Sequence, residues 1–168
     1  MAELTPRERL QPSLLDRLTD NEPHQDVESR EQRVLSISRL RECVIRDLTW
    51  LFNCENLMSR QEQIDECPEA MRSVVNYGIP VLSGMTAAGR DPDRLQRQIL
   101  EAILTFEPRL IRDSVSVKAL LSDDEMTNNT LTFVIEADLW AQPLPLHLYM
   151  QTEVDLGTGE VSVAQRAP

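Results

Sequence analysis

An acid and a base flank a proline in the segment Glu107-Pro108-Arg109, and these three residues are the first candidates for chemistry in the chain. Proline lacks a backbone N–H and forces the residue before it out of the α-helical conformation, so a helix must end here. Opposite charges at a rigid corner can make directed, bidentate hydrogen bonds to a partner. Charges beside a helix-ending proline are more commonly just solvated, so the segment alone leaves recognition and a solvated turn as alternatives.

The elements on either side of this corner follow from the apolar pattern. Asp91 can cap a helix, Pro92 fits its first position and Asp93 faces the positive end of its dipole. Apolar residues then recur every three or four positions, at Leu95, Ile99, Ala102, Ile103 and Phe106. After the corner the pattern alternates, with Val115, Val117, Ala119 and Leu121 on one side and Ser114, Ser116, Lys118 and Leu120 on the other. The corner therefore joins a helix to a strand.

A second helix is predicted upstream, with Ser36 or Ser38 as its cap. Its buried line consists of Leu40, Val44, Leu48 and Leu51, widened by Ile37, Ile45 and Phe52. A polar loop follows, and the segment 73–84 then mixes Gly78, Pro80 and Gly84 with the apolar residues Val74, Val75, Ile79 and Leu82. Such spacing predicts an ordered, partly buried loop.

The last third of the chain is predicted to be β-structure. Residues 131–140 and 146–156 alternate between apolar and polar types, Gly157-Thr158-Gly159 forms a turn, and Val161 and Val163 indicate a short final strand. The sum is an α+β fold, in which a small antiparallel sheet carries two main helices on one face. We interpret the two long strands as the end of an open sheet, where their edges invite pairing.

The N-terminal segment, residues 1–33, is rich in charged residues and proline and is predicted to be flexible, whereas residues 34–168 form a single domain. One apolar stripe interrupts the segment, at Leu14, Leu15 and Leu18. Such a stripe either folds back on the domain or docks on a partner.

Composition excludes several classes of protein. The chain has 168 residues, a net charge of −11 and a pI of about 4.6, which argues against nucleic-acid binding. No apolar run approaches the roughly 20 residues that span a bilayer, and the first residues lack the apolar core of a signal peptide. A cytosolic location is the expectation.

No pattern of catalytic or metal-binding residues stands out. Cys43, Cys54 and Cys67 are widely spaced, so a zinc site is not expected, and Cys43 fits a small core position. Of the two histidines, His24 lies in the polar segment and His147 on the outer face of a strand. Neither is placed for a nucleophilic triad, and we expect no enzyme activity, cofactor or metal.

Four motifs in order resemble a known family. They are Leu14-Leu15-Asp16-Arg17-Leu18-Thr19-Asp20, Leu40-Arg41-Glu42 with Arg46-Asp47-Leu48 and Trp50-Leu51, Asn76-Tyr77-Gly78-Ile79-Pro80, and Phe106-Glu107-Pro108-Arg109-Leu110. They resemble TssE, the baseplate subunit of type VI secretion systems, which is similar to the small wedge protein of contractile phage baseplates. That family is historically labelled lysozyme-like. Val81 departs from its pattern, which has an acid there.

The resemblance implies a non-catalytic structural role in a cytoplasmic baseplate at the inner face of the cell envelope. It implies the wedge subunits TssF, TssG and TssK and the sheath subunits TssB and TssC as partners, with the first sheath ring templated by strand addition. Glu107, Pro108 and Arg109 would then bind neighbouring subunits. As surface residues, Glu107 and Arg109 are expected to tolerate alanine without loss of the fold but with loss of assembly. The alternative is a peptidoglycan hydrolase, suggested by the family label and by the surplus of carboxylates.

Overall fold

The computed structural model describes residues 13–19, 23–24, 37–57, 68–81, 92–120, 130–141 and 145–166. Most of the predicted flexible segment lies outside these residues, as do Ser36, Cys67, Leu82, Gly84, Asp91 and Leu121. The helices are α1 (Leu14–Leu18), α2 (Ile37–Asn53), α3 (Pro68–Met71) and α4 (Pro92–Phe106). The strands are β1 (Ser116–Leu120), β2 (Thr130–Leu139), β3 (Leu146–Asp155) and β4 (Val161–Gln165).

The two long helices bury the faces that the sequence periodicity predicts. In α2 the buried residues are Leu40, Cys43, Val44, Leu48, Leu51 and Phe52, and in α4 they are Leu95, Ile99, Ala102 and Ile103. Helix α4 begins at Pro92 and ends at Phe106, directly before the corner, as expected. Ile37 is an exception, because it is the first residue of α2 and remains 47% exposed.

The four strands form one antiparallel sheet in the order β1-β2-β3-β4. Phe133, Ile135, Ala137 and Leu139 of β2 and Leu148, Met150, Thr152 and Val154 of β3 are all completely buried. These residues share one face of the sheet, and all of them except the polar Thr152 belong to the same hydrophobic core as α2 and α4. The α+β prediction is therefore confirmed.

The order of the strands corrects the expectation that the two long strands lie at the end of the sheet. β2 and β3 are its central strands, because β1 pairs with β2 from Ser116↔Glu136 to Leu120↔Thr132 and β4 pairs with β3 from Met150↔Gln165 to Val154↔Val161. The edges of the sheet are thus the two five-residue strands, β1 and β4. Short edge strands limit uncontrolled pairing.

Side-chain amides from the helices reach both edges. The Asn53 amide, at the end of α2, donates to the Val161 carbonyl over 2.7 Å and accepts from the Val161 N–H over 3.0 Å. At the opposite edge the Ala119 N–H of β1 donates to Oε1 of Gln96 in α4 over 3.3 Å. Each helix is thereby attached to the edge strand beside it.

The predicted loop around Gly78 is ordered and attached to the end of α2. Ile79 is 2% exposed and forms a parallel bridge with Glu55, in which the Ile79 N–H donates to the Cys54 carbonyl over 2.9 Å. Val74 and Val75, by contrast, are 81% and 65% exposed, so only part of the apolar content of the loop is buried.

Among the residues described, no helix is both long and apolar enough to cross a bilayer.

Candidate functional site

The Glu107-Pro108-Arg109 corner is joined to the edge of β2 through its backbone. The Trp140 N–H donates to the Arg109 carbonyl and the Ile111 N–H donates to the Asp138 carbonyl, each over 2.8 Å. Leu110 forms an antiparallel bridge with Leu139 between these bonds. The corner therefore continues the sheet edge beyond β1, which fixes its backbone against the core.

The side chains of the corner form an ion-pair cluster with α2. The Arg109 Nε and Nη2 atoms donate to Oε1 and Oε2 of Glu107 over 2.7 and 2.5 Å, which makes the pair bidentate. Arg109 Nη2 also donates to Oδ2 of Asp47 over 2.6 Å. The backbone N–H of Arg109 donates to Oε1 of Glu107 over 3.2 Å. Both carboxylates therefore hold one guanidinium between the corner and α2.

This geometry corrects the expectation that the charges of the corner are surface groups. Glu107 is a buried residue whose side chain is 5% exposed, and the Arg109 side chain is 23% exposed. Pro108 is the one exposed residue of the three. A carboxylate is buried here because the guanidinium neutralises it and donates to both of its oxygens.

The cluster extends along α2 to the N-terminal helix. Arg46 donates to Asp47 through Nε and Nη2 over 2.8 and 2.7 Å, and its Nη1 donates to Oδ1 of Asp16 in α1 over 2.7 Å. The guanidinium carbon of Arg46 also lies 5.1 Å from the centre of the Trp50 ring, a cation–π distance. We call Asp16, Arg46, Asp47, Glu107 and Arg109 the charge cluster; it links α1 to the corner.

Burial and pairing set the protonation of the cluster. Burial lowers the pKa of Arg109, but its hydrogen bonds and charge contacts with Glu107 and Asp47 outweigh that effect and raise it overall. Burial raises the pKa of Asp16, but hydrogen bonds from Arg46, Ser13 and Cys43 outweigh that effect and lower it overall, to about 2. Asp16 and the two arginines are thus charged throughout the physiological range.

Replacing Asp16 with asparagine is expected to remove a pH-dependent part of the stability. Because the pKa is depressed to about 2 in the folded chain, the contribution of Asp16 is complete above its unfolded pKa, near 4, and disappears as the pH falls through 2. The wild type should exceed the variant by about 1 kcal/mol in unfolding free energy at pH 6, a value reduced for solvent screening of the partly exposed Arg46. Urea denaturation at pH 6, 4 and 2.5 measures the difference.

A matched control for that measurement is Asp93→Asn, because Asp93 is an exposed acid in the first turn of α4. The control should change the pH dependence little. A difference between wild type and Asp16→Asn that stays constant from pH 6 to pH 2.5 would contradict the ion pair.

Aromatic residues brace the corner from the loop around Gly78. The Tyr77 and Phe106 rings meet edge to face, with centroids 5.3 Å apart, and the Tyr77 hydroxyl donates to the Asp47 carbonyl over 3.4 Å. Burial raises the pKa of Tyr77, and the nearby Asp47 and Glu107 charges raise it further. The loop, α2 and the corner therefore pack as one unit.

The described residues offer little for catalysis. His147 pairs with Asp138 over 2.9 Å on the exposed face of the sheet, and His24 is exposed. Both oxygens of Glu107 accept hydrogen bonds from Arg109, so the carboxylate is engaged within the charge cluster. No group of three potential metal ligands occurs within the part of the chain that the structure describes. The arrangement suits a fixed contact surface.

The comparison with protein families decides the relationship. The family model described as baseplate wedge protein gp25 matches residues 38–144, which is more than half of the chain. The chain belongs to this family. Neither the comparison with curated proteins nor that with solved structures gave a significant match. The resemblance to baseplate wedge proteins that the four motifs predict is confirmed.

Membership gives the chain a structural role in a phage-baseplate-like assembly, together with other baseplate components. The matched range contains every member of the charge cluster except Asp16, together with Tyr77, so most of the cluster belongs to the wedge family region. α1, β3 and β4 lie outside the matched range.

The sequence indicates the corner but not the residues of α2 that pair with it. Arg46 and Asp47 are part of a recognised motif, yet 62 residues separate Asp47 from Arg109, and nothing in the pattern connects them. The hint in the sequence is that Asp47 directly precedes the buried Leu48 of α2. That position does not by itself indicate burial or identify Arg109 as the partner.

Proposed function

We propose that this chain is a non-catalytic subunit of the type VI secretion baseplate wedge, which helps to assemble the baseplate and templates the first ring of the contractile sheath by strand addition. Its partners are the wedge subunits TssF, TssG and TssK and the sheath subunits TssB and TssC, and it works in the cytoplasm at the inner face of the envelope. Family membership supports the baseplate role. The observation that carries strand addition is the outer edge of β4.

Within the described part of the chain, the hydrogen-bond pattern of β4 leaves most of its outer edge without a neighbouring strand. The Asp155 N–H donates to the Glu160 carbonyl and the Arg166 N–H donates to the Tyr149 carbonyl, over 2.9 and 3.1 Å. In an antiparallel pair the bonded residues alternate, so the even-numbered residues of β4 face β3 and the odd-numbered ones face outward. The backbone groups of Val161, Val163 and Gln165 therefore point away from the sheet.

Asn53 determines which of these positions can accept a strand. Its amide already bonds both backbone groups of Val161, so among the residues that the structure describes Val163 and Gln165 remain as the open pair. An extended segment that adds here would satisfy these groups through its own backbone, the mode of β-strand addition. Since Val163 also packs against the core, apolar side chains on the same face of the incoming strand would extend that core.

The other edge of the sheet suits a partner less well. Gln96 bonds the outward Ala119 N–H of β1, and the corner occupies the rest of the β2 edge through Arg109 and Ile111. We therefore assign strand acceptance to β4 and contact with neighbouring wedge subunits to the Glu107-Pro108-Arg109 corner. In that contact Pro108 supplies the exposed surface and Glu107 orients Arg109.

Co-purification of the tagged full-length chain with the wedge and sheath subunits tests the proposal. Val163→Pro removes an outward N–H, a change that edge strands tolerate, and should lower sheath recovery at least tenfold while wedge subunits remain bound. Val163→Thr is the matched control, because it keeps the N–H and the β-branched shape. A folded Val163→Pro chain that recovers sheath like the wild type would contradict strand addition at β4.

In the same experiment, the wild-type chain tests whether the protein binds wedge and sheath subunits at all. Recovery of neither wedge nor sheath subunits would overturn it. The peptidoglycan hydrolase alternative would then be tested by a zymogram of the purified chain.

A further inference from the structure

The N-terminal helix α1 is attached to the domain by its polar side. Asp16, whose side chain is 7% exposed, faces Arg46 of α2, and Ser13 caps the helix by accepting from the Asp16 N–H. Leu14 and Leu18 are 72% and 74% exposed, and Leu15 is 42% exposed. In an ordinary surface helix the apolar side faces the core, so α1 has the reverse orientation.

A second large apolar group lies beside the same arginine. Trp50 of α2 is 49% exposed, and Arg46 contacts both its ring and the Asp16 carboxylate. The helix that carries the leucines and the ring of Trp50 both contact Arg46, and we call Leu14, Leu15, Leu18 and Trp50 the leucine–tryptophan surface. Large apolar side chains left exposed on two neighbouring helices mark interaction sites, and Trp is enriched among the residues that dominate binding energies.

The charges beside this surface define the partner further. Within the charge cluster, counted over the side chains that the structure describes, three carboxylates face two guanidiniums, which gives the cluster a net charge of −1. Asp47 and Arg46 keep 21% and 30% of their side chains exposed, so that charge is accessible from solvent. A complementary surface is apolar with a lysine or arginine at its rim.

We infer that the leucine–tryptophan surface docks into an apolar groove, rimmed by a basic side chain, on another protein. Leu14 and Leu18 occupy helix positions i and i+4, which are two of the anchor positions by which a short helix fills such a groove. The Asp16–Arg46 ion pair holds the helix in place before binding, which reduces the entropy lost on docking. The inference requires neither the sheath contact nor the corner contact.

Site-specific photo-crosslinking of the full chain in its own cells tests the inference. Leu18 is replaced by p-benzoylphenylalanine, and the control carries the same group at Val75, which is similarly exposed but remote in sequence from α1. The Leu18 position should crosslink to one peptide of another protein at least tenfold more than the control position does. Mass spectrometry should place that peptide in an apolar groove with a lysine or arginine at its rim.

Adding Asp16→Asn to the Leu18 crosslinker chain tests whether the helix must be held in position. Loss of the ion pair should lower the yield about fivefold, whereas Asp93→Asn should not change it. Crosslinks confined to this chain or to a second copy of it, equal yields from positions 18 and 75, or no crosslink would overturn the inference. A chain that recovers wedge and sheath subunits but gives one of those results would leave the proposed function intact and remove only this surface.

Discussion

Arg109→Ala should lower the free energy of unfolding by roughly 3–5 kcal/mol, the loss typical when one partner of a buried ion pair is removed. The variant leaves Glu107 buried without a counter-charge and deprives Asp47 of its bond to the corner. Since a domain of this size is stable by roughly 5–15 kcal/mol, the loss is a large part of the total. Chemical denaturation followed by far-UV circular dichroism measures it.

Two companion variants separate this effect from general loss of an arginine. Arg97→Ala removes an exposed arginine of the same region, on α4, and should change the unfolding free energy by less than about 0.5 kcal/mol. In Glu107→Gln/Arg109→Ala the buried group is neutral, so part of the lost stability should return. Equal stability of Arg109→Ala and the wild type would show that the cluster does not support the fold.

The burial of Glu107 and Arg109 affects the interpretation of assembly experiments on alanine variants of the corner. The sequence alone suggested that Glu107→Ala and Arg109→Ala would leave the fold intact, but both side chains are partners of one buried ion pair. Any loss of assembly in these variants would therefore include the effect of weaker folding. Pro108 is exposed, so it is the position at which contact can be tested with the least disturbance of the core.

Gly78→Ala should destabilise the chain by roughly 3 kcal/mol, through positive-φ strain together with overpacking. Gly78 has φ +123°, and a Cβ there would lie 2.3 Å from the Cys54 carbonyl oxygen and 2.7 Å from its carbon. Both atoms belong to the backbone that pairs with Ile79, so relief requires the bridge itself to move. Thermal and urea unfolding of the variant measure the loss.

Gly159→Ala isolates the contribution of backbone conformation. Gly159 also has a positive φ, +80°, in the turn before β4, and alanine there should cost about 1 kcal/mol. The amount by which Gly78→Ala loses more unfolding free energy than Gly159→Ala then measures the clash with Cys54. If both variants lose the same stability, close approach of the two backbone segments is not what requires glycine at position 78.

The local elements of the fold were predictable because each depends on neighbouring residues. Spacing of three and four identified the buried faces of α2 and α4, and Pro108 fixed the end of α4 at Phe106. Alternation located β2 and β3 to within one residue of their ends. These signals arise from helix and strand geometry, which acts over a few residues.

Neither the order of the strands nor the partners of the corner could be read in this way. Alternation shows that β2 and β3 each have a buried face, but not that β1 and β4 occupy their outer sides. The pairing of Arg109 with Asp47 is likewise a product of how α2 packs beside the corner. Charged residues at both positions looked solvated, because the sequence gives no measure of their burial.

The contact between Asn53 and Val161 joins residues 108 positions apart, and it has a consequence for the timing of biogenesis. Contacts of large sequence separation form late, since a long loop must close first. Helices α2 and α4 and strands β1, β2 and β3 all precede β4 in the chain, so they emerge from the ribosome before it. The contact of Asn53 with the β4 edge therefore forms only after the rest of the sheet has been synthesised.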